Sequence, residues 1–61
     1  MELQLQVQNE QSNHFESLIE QFDIKINEVV DGQFWTTFKL EIHSEVEHNL
    51  AFEALEQTKE N

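Results

Sequence analysis

The apolar residues of this chain keep a period of two, then of three to four, then of two, then of three to four again. That succession limits the folds open to it. Residues 2–8 alternate strictly, with Leu3, Leu5 and Val7 on one face of a half-buried strand. After the polar stretch 9–12, Phe15, Leu18, Ile19 and Phe22 recur at helical spacing. A short amphipathic helix is expected over 14–22, with Asn13 as its cap and Glu16 three residues on. Ile24 and Ile26 restore the two-residue period. Phe34, Phe38, Leu40 and Ile42 continue it beyond Asp31-Gly32, which predicts a hairpin. Ser44 with Glu47 forms a second capping pattern. Val46, Leu50, Ala51, Ala54 and Leu55 then line one face of a helix running to about Lys59, with Glu60-Asn61 fraying.

The order β-α-β-β-α predicts an α+β two-layer sandwich in a single small acidic domain spanning 1–61, with a three-stranded antiparallel sheet and both helices on one face. A right-handed crossover through the first helix places the first strand beside the third, giving strand order 1-3-2. A two-residue Asp31-Gly32 turn would set Ile26 opposite Thr37 and mix the faces. A three-residue loop Val30-Asp31-Gly32 sets Ile24 opposite Phe38 and Asp23 opposite Lys39, with Gly32 in the left-handed position of a bulge. The uncovered sheet face then carries Gln4, Gln6 and Gln8; Lys25, Asn27 and Val29; and Trp35, Thr37, Lys39, Glu41 and His43. Glu28 falls in the buried phase of its strand but close to the turn, and is read as an exposed strand end.

Thirteen acidic residues stand against three lysines in 61 residues, for a formal net charge of −10, with no arginine. That balance argues against binding nucleic-acid phosphates or an anionic membrane, both of which need clustered cations. The absence of cysteine excludes disulfides, thiolate zinc sites and cysteine catalysis. No apolar run approaches the ~18 residues of a membrane span, and no secretory pattern opens the chain, so a cytoplasmic location is expected. A chain of this size buries only about 60% of its unfolded surface, and its core supplies roughly 3–5 kcal/mol. A partner, either a second copy or a cationic target, is therefore expected.

Three features are candidates for contact with such a partner. Trp35 is either the anchor of a binding surface or an incidental tryptophan on a solvated face. Phe52 lies outside the core stripe of its helix, either packed over the sheet edge or available to a partner. Glu45, Glu53, Glu56 and Glu60 cluster on the second helix, and Glu10, Glu16 and Glu20 surround the first. Such carboxylates either keep a face hydrated or imitate nucleic-acid phosphates before a Lys- and Arg-lined groove. His43, Glu45, Glu47 and His48 lack metal-ligand spacing, and Ser12, Ser17 and Ser44 suit caps or helix surface. No metal, cofactor or catalytic group is expected.

In size, acidity and lack of catalytic groups the chain resembles, in general type, the small phage- or mobile-element-encoded proteins that inactivate host enzymes, anti-CRISPR proteins among them. No motif carries that resemblance. The expected function is that of an acidic inhibitor competing with DNA or RNA for a basic, nucleic-acid-binding protein. The alternative is a structural or regulatory homodimer, such as an antitoxin or accessory subunit, whose acidity serves only solubility.

Overall fold

Strict alternation gives the first strand, β1 (Glu2–Gln8), one buried and one exposed face. In the computed structural model, which describes residues 1–59, it is followed by a single 3-10 turn at Asn9–Gln11 and by helix α1 (Ser12–Gln21). Strands β2 (Lys25–Asp31) and β3 (Trp35–Glu41) and helix α2 (Glu45–Lys59) complete the chain. The sheet is antiparallel in the order β1-β3-β2, as the crossover argument requires. Fraying of Glu60-Asn61 lies outside the described residues.

Leu5 opposes Phe38, and Val7 opposes Thr36. This face packs on Phe15 and Ile19 of α1 and Ala51 and Ala54 of α2, all with no exposed surface. The Phe15 and Phe38 rings meet at a centroid distance of 4.9 Å. Two alanines at the contact let α2 approach closely. Leu50 and Leu55 flank them, and Val46, expected in the core, turns to solvent at 66% exposure. It lies about 140° round the helix from Ala51, outside the inward arc. Thr58 takes a buried place instead, its hydroxyl donating to the Leu55 carbonyl at 2.7 Å.

Helix ends follow the sequence only in part. At α2 the Glu47 amide donates to Ser44 Oγ at 3.2 Å, and the Glu47 carboxylate accepts from the His43 amide at 2.9 Å. That is the expected reciprocal cap, displaced by one residue on its return arm. At α1 the expected Asn13–Glu16 cap does not form. The backbone is already turning from Asn9, so Asn13 lies inside the first helical turn, and Ser12 Oγ donates instead to the Asn9 carbonyl at 2.9 Å. The C-terminus of α1 closes with Asp23 amide to Glu20 carbonyl and Ile24 amide to Ile19 carbonyl, at 3.0 and 3.1 Å. This is a Schellman motif with Asp23, at φ 61°, in the left-handed position that glycine usually fills.

The hairpin register differs from the expected one. Ile26 opposes Leu40, but Glu28 opposes Lys39 and Val29 opposes Phe38, because Asn27 is an extra residue bulged out of β2. Neither Ile24 nor Asp23 takes the place assigned to it. The bulge reverses the face of every later β2 residue, so Val30 joins the outer face and Val29 the inner. The chain turns after Asp31, later than the expected Val30-Asp31-Gly32 loop, and Gly32 has no positive φ. Glycine is required there for another reason: a Cβ would stand 2.6 Å from the Trp35 carbonyl oxygen, which the Gly32 amide approaches to 2.8 Å. Phe34, expected in the buried alternation, is left in the turn at 68% exposure.

Candidate functional site

Asn9 organises the turn between β2 and β3. Its backbone amide donates to the Phe34 carbonyl at 3.1 Å. Its side-chain amide donates to the Gly32 and Gln33 carbonyls at 3.1 and 3.0 Å. Its side-chain oxygen accepts the hydroxyl of Thr36, which is 2% exposed, at 2.7 Å. Four hydrogen bonds thus fix a turn that presents two adjacent aromatic side chains, Phe34 and the half-exposed Trp35. By sequence alone Asn9 belongs to a polar break and Phe34 to the core alternation. The missed signal is that an amide with donors and an acceptor can bridge a turn remote in sequence. Trp35 forms one wall of a groove with Gln6, Val7 and Gln8 of β1 and Leu55 and Thr58 of α2. The α2 charge in that groove is Lys59.

The carboxylates are segregated by layer. Strands β1 to β3 carry Glu2, Glu28, Asp31 and Glu41 against Lys25 and Lys39, whereas α1 and α2 carry Glu16, Glu20, Glu45, Glu47, Glu53 and Glu56 against Lys59 alone. Two ion pairs are formed among the described residues, both on the sheet. Glu28 meets Lys39 at 3.1 Å, and Glu41 meets the N-terminal ammonium at 2.8 Å. The hydrogen bond from that ammonium, then one donated by the Asn27 side-chain Nδ2 at 3.1 Å, then the ammonium's charge hold the Glu41 carboxyl below the usual carboxylate range. Glu20, Glu45, Glu53 and Glu56 are exposed, and Glu16 is half-buried. Glu60 and its share of the cluster lie outside the described residues.

The expected site residues therefore do not form one patch. Glu45, Phe52 and Glu56 share a flank of α2, where the Phe52 ring lies 4.9 Å from that of His48. Glu53 lies about 100° further round the helix. Glu16 and Glu20 belong to α1, while Trp35 stands on the opposite layer with Phe34. What the structure defines is a two-layer α+β protein with an acidic helical layer, a sheet whose four strand carboxylates face two lysines and the N-terminal ammonium, and an aromatic turn held by the hydrogen bonds of Asn9. Among the described residues no group of three or more His, Cys, Asp or Glu is placed to hold a metal ion, and no helix is long and apolar enough to cross a membrane. No family model, curated protein or solved structure matches the chain.

Proposed function

We propose that this chain is an acidic protein-binding inhibitor of the phage or mobile-element anti-defence type, akin in action to anti-CRISPR and DNA-mimic proteins. It would act in the cytoplasm on a nucleic-acid-handling protein by occupying its basic groove. The observation that carries this reading is the helical layer, where six carboxylates meet one lysine and none forms an ion pair among the described residues. Glu20 sharpens it. The residue sits in the last turn of α1, which holds no basic residue, where the helix dipole disfavours a carboxylate. A charge held at a small cost in stability is accounted for by intermolecular use.

Magnitude limits what the charges do alone. Even in a single row along the 30 Å long axis, six carboxylates would average about one per 5 Å, sparser than the ~3.4 Å spacing of charges along one DNA strand, and here they are divided between two helices. Electrostatics of that density steers association, and apolar burial must hold the complex. Phe34, Trp35 and Phe52 are the exposed aromatic groups suited to that anchorage. The test is capture of a target from a prokaryotic lysate at low salt, followed by binding kinetics over a range of ionic strength. Glu20→Lys with Glu53→Lys should slow association, with the loss shrinking as salt rises. Trp35→Ala should act on dissociation. Unchanged affinity and salt slope in the double charge reversal would refute the reading.

A further inference from the structure

The two edges of the sheet are unlike. Strand β2 carries the Asn27 bulge and the charged Lys25, Glu28 and Asp31, devices that keep other strands away. Strand β1 has neither bulge nor proline, and beyond Glu2 it reads Leu-Gln-Leu-Gln-Val-Gln without a charge. The Ile42 amide donates to the Met1 carbonyl, and the Asn9 amide to the Phe34 carbonyl, so the odd-numbered residues of β1 bond to β3. By the antiparallel alternation, the amides and carbonyls of Glu2, Gln4, Gln6 and Gln8 point out of the edge.

Helix α2 runs beside this edge in the same direction. Its first turn shares a hollow with Met1, and its last turns share the groove with Val7 and Gln8. Leu5 is the middle residue of β1, and Phe52 is the middle residue of α2. We infer that a second copy of this chain docks on this side, β1 against β1 and α2 against α2, about a two-fold axis passing Leu5 and Phe52.

Two independent features select that occupant. First, an antiparallel β1 pair centred on Leu5 sets Gln4 opposite Gln6 and Glu2 opposite Gln8 of the second copy. That register uses all the outward groups of Glu2–Gln8, about eight hydrogen bonds, and opposes no like charges. Second, an antiparallel α2 pair centred on Phe52 sets Glu45 opposite Lys59, and His48 opposite Glu56, of the second copy. Each carboxylate on that flank meets the residue whose charge or donor complements it. The same axis brings the exposed Met1 side chain to the groove beside Trp35 and Leu55. A six-stranded sheet results, with β2 at both outer ends. In the dimer Phe52 is covered, which leaves Phe34 and Trp35 as the aromatic anchors for a target; Glu20 and Glu53 stay outside the interface, so the charge-reversal test of target binding and the test of the dimer succeed or fail separately.

The test is sedimentation equilibrium of the chain and three variants. Gln4→Pro removes an amide that points out of the edge and leaves the β1–β3 ladder intact, so the variant should keep the far-ultraviolet circular dichroism of the parent and sediment as a monomer. Glu45 and Lys59 stand fourteen residues apart, ~21 Å along one helix, too far to interact within a chain. Lys59→Glu should raise the dimer dissociation constant about threefold to tenfold, since two symmetric pairs are lost, and adding Glu45→Lys should restore it. That recovery arises only across an axis relating antiparallel helices, and it stands even if Gln4→Pro fails to fold. A monomer at millimolar concentration, a dimer indifferent to Gln4→Pro, or a double charge exchange that deepens the loss would each overturn the proposal.

Discussion

Replacing Asn9 with alanine should cost about 2 kcal/mol, a large share of the roughly 3–5 kcal/mol available to a domain of this size. The cost concentrates on one atom. Thr36 is 2% exposed and its hydroxyl donates only to the Asn9 side-chain oxygen, so the substitution leaves a buried donor without a partner. That alone costs about 1–3 kcal/mol. The Gly32 and Gln33 carbonyls belong to exposed residues, and water can replace the lost amide there at a few tenths each. At ~4–8 °C per kcal/mol, the melting temperature should fall by ~8–16 °C. The assay is urea unfolding followed by the fluorescence of Trp35, the only tryptophan. Thr36→Val removes the stranded hydroxyl at nearly constant shape, so the double variant should recover ~1 kcal/mol of the loss. An Asn9→Ala variant within ~0.5 kcal/mol of the parent, or no coupling with Thr36→Val, would refute the account of Asn9 as the clasp of the turn.

Gly32→Ala should destabilise by more than ~1 kcal/mol through collision with the Trp35 carbonyl, 2.6 Å from the added Cβ, and chemical denaturation measures it. Asp23→Gly should stabilise by ~0.5–1 kcal/mol in the same assay, because glycine adopts φ 61° without strain. The Glu41 carboxyl should titrate below the usual range when followed by NMR, and Asn27→Ala should move it back upward. Because the folded-state pKa is the lower one, the associated stabilisation is present above the unfolded value and is lost as pH falls through the folded one.

The sequence states the element order, because each change of apolar period is long enough to read: Leu3, Leu5 and Val7 at two, then Phe15, Leu18, Ile19 and Phe22 at three to four. Strand order follows from crossover handedness and is found as expected. The register fails at one residue. Ile24 and Ile26 share a phase with Val29 only if two successive polar residues, Asn27 and Glu28, occupy one step of the ladder, which is how a bulge reads in sequence. A regular β2 would put Val29 outside and the turn too early, while Phe34 keeps the phase of Phe38 and Leu40 but lies one residue before β3 begins and is therefore exposed in the turn. Of the candidate site, the exposed carboxylates and Trp35 were legible from amphipathic phase. The aromatic turn was not, since Asn9 acts across more than twenty residues of chain and no local pattern announces such a contact.

Why the acidity sits on the helices follows from how each layer handles charge. On a sheet, facing side chains are close, and Glu2 stands directly opposite Glu41 between β1 and β3. Such a pairing is tolerable only with compensation, and Glu41 has it: the N-terminal ammonium, the Asn27 amide, and Lys25 opposite it on the other side. Glu28 is likewise matched to Lys39. Two of the three lysines are thus spent balancing the sheet, and the helices keep six carboxylates with the third. On helix surfaces, carboxylates can splay into solvent, so the same excess costs only tenths of a kcal/mol per like-charged neighbour. The fold therefore concentrates its uncompensated charge where repulsion is cheapest, and where it is also most open to a cationic partner.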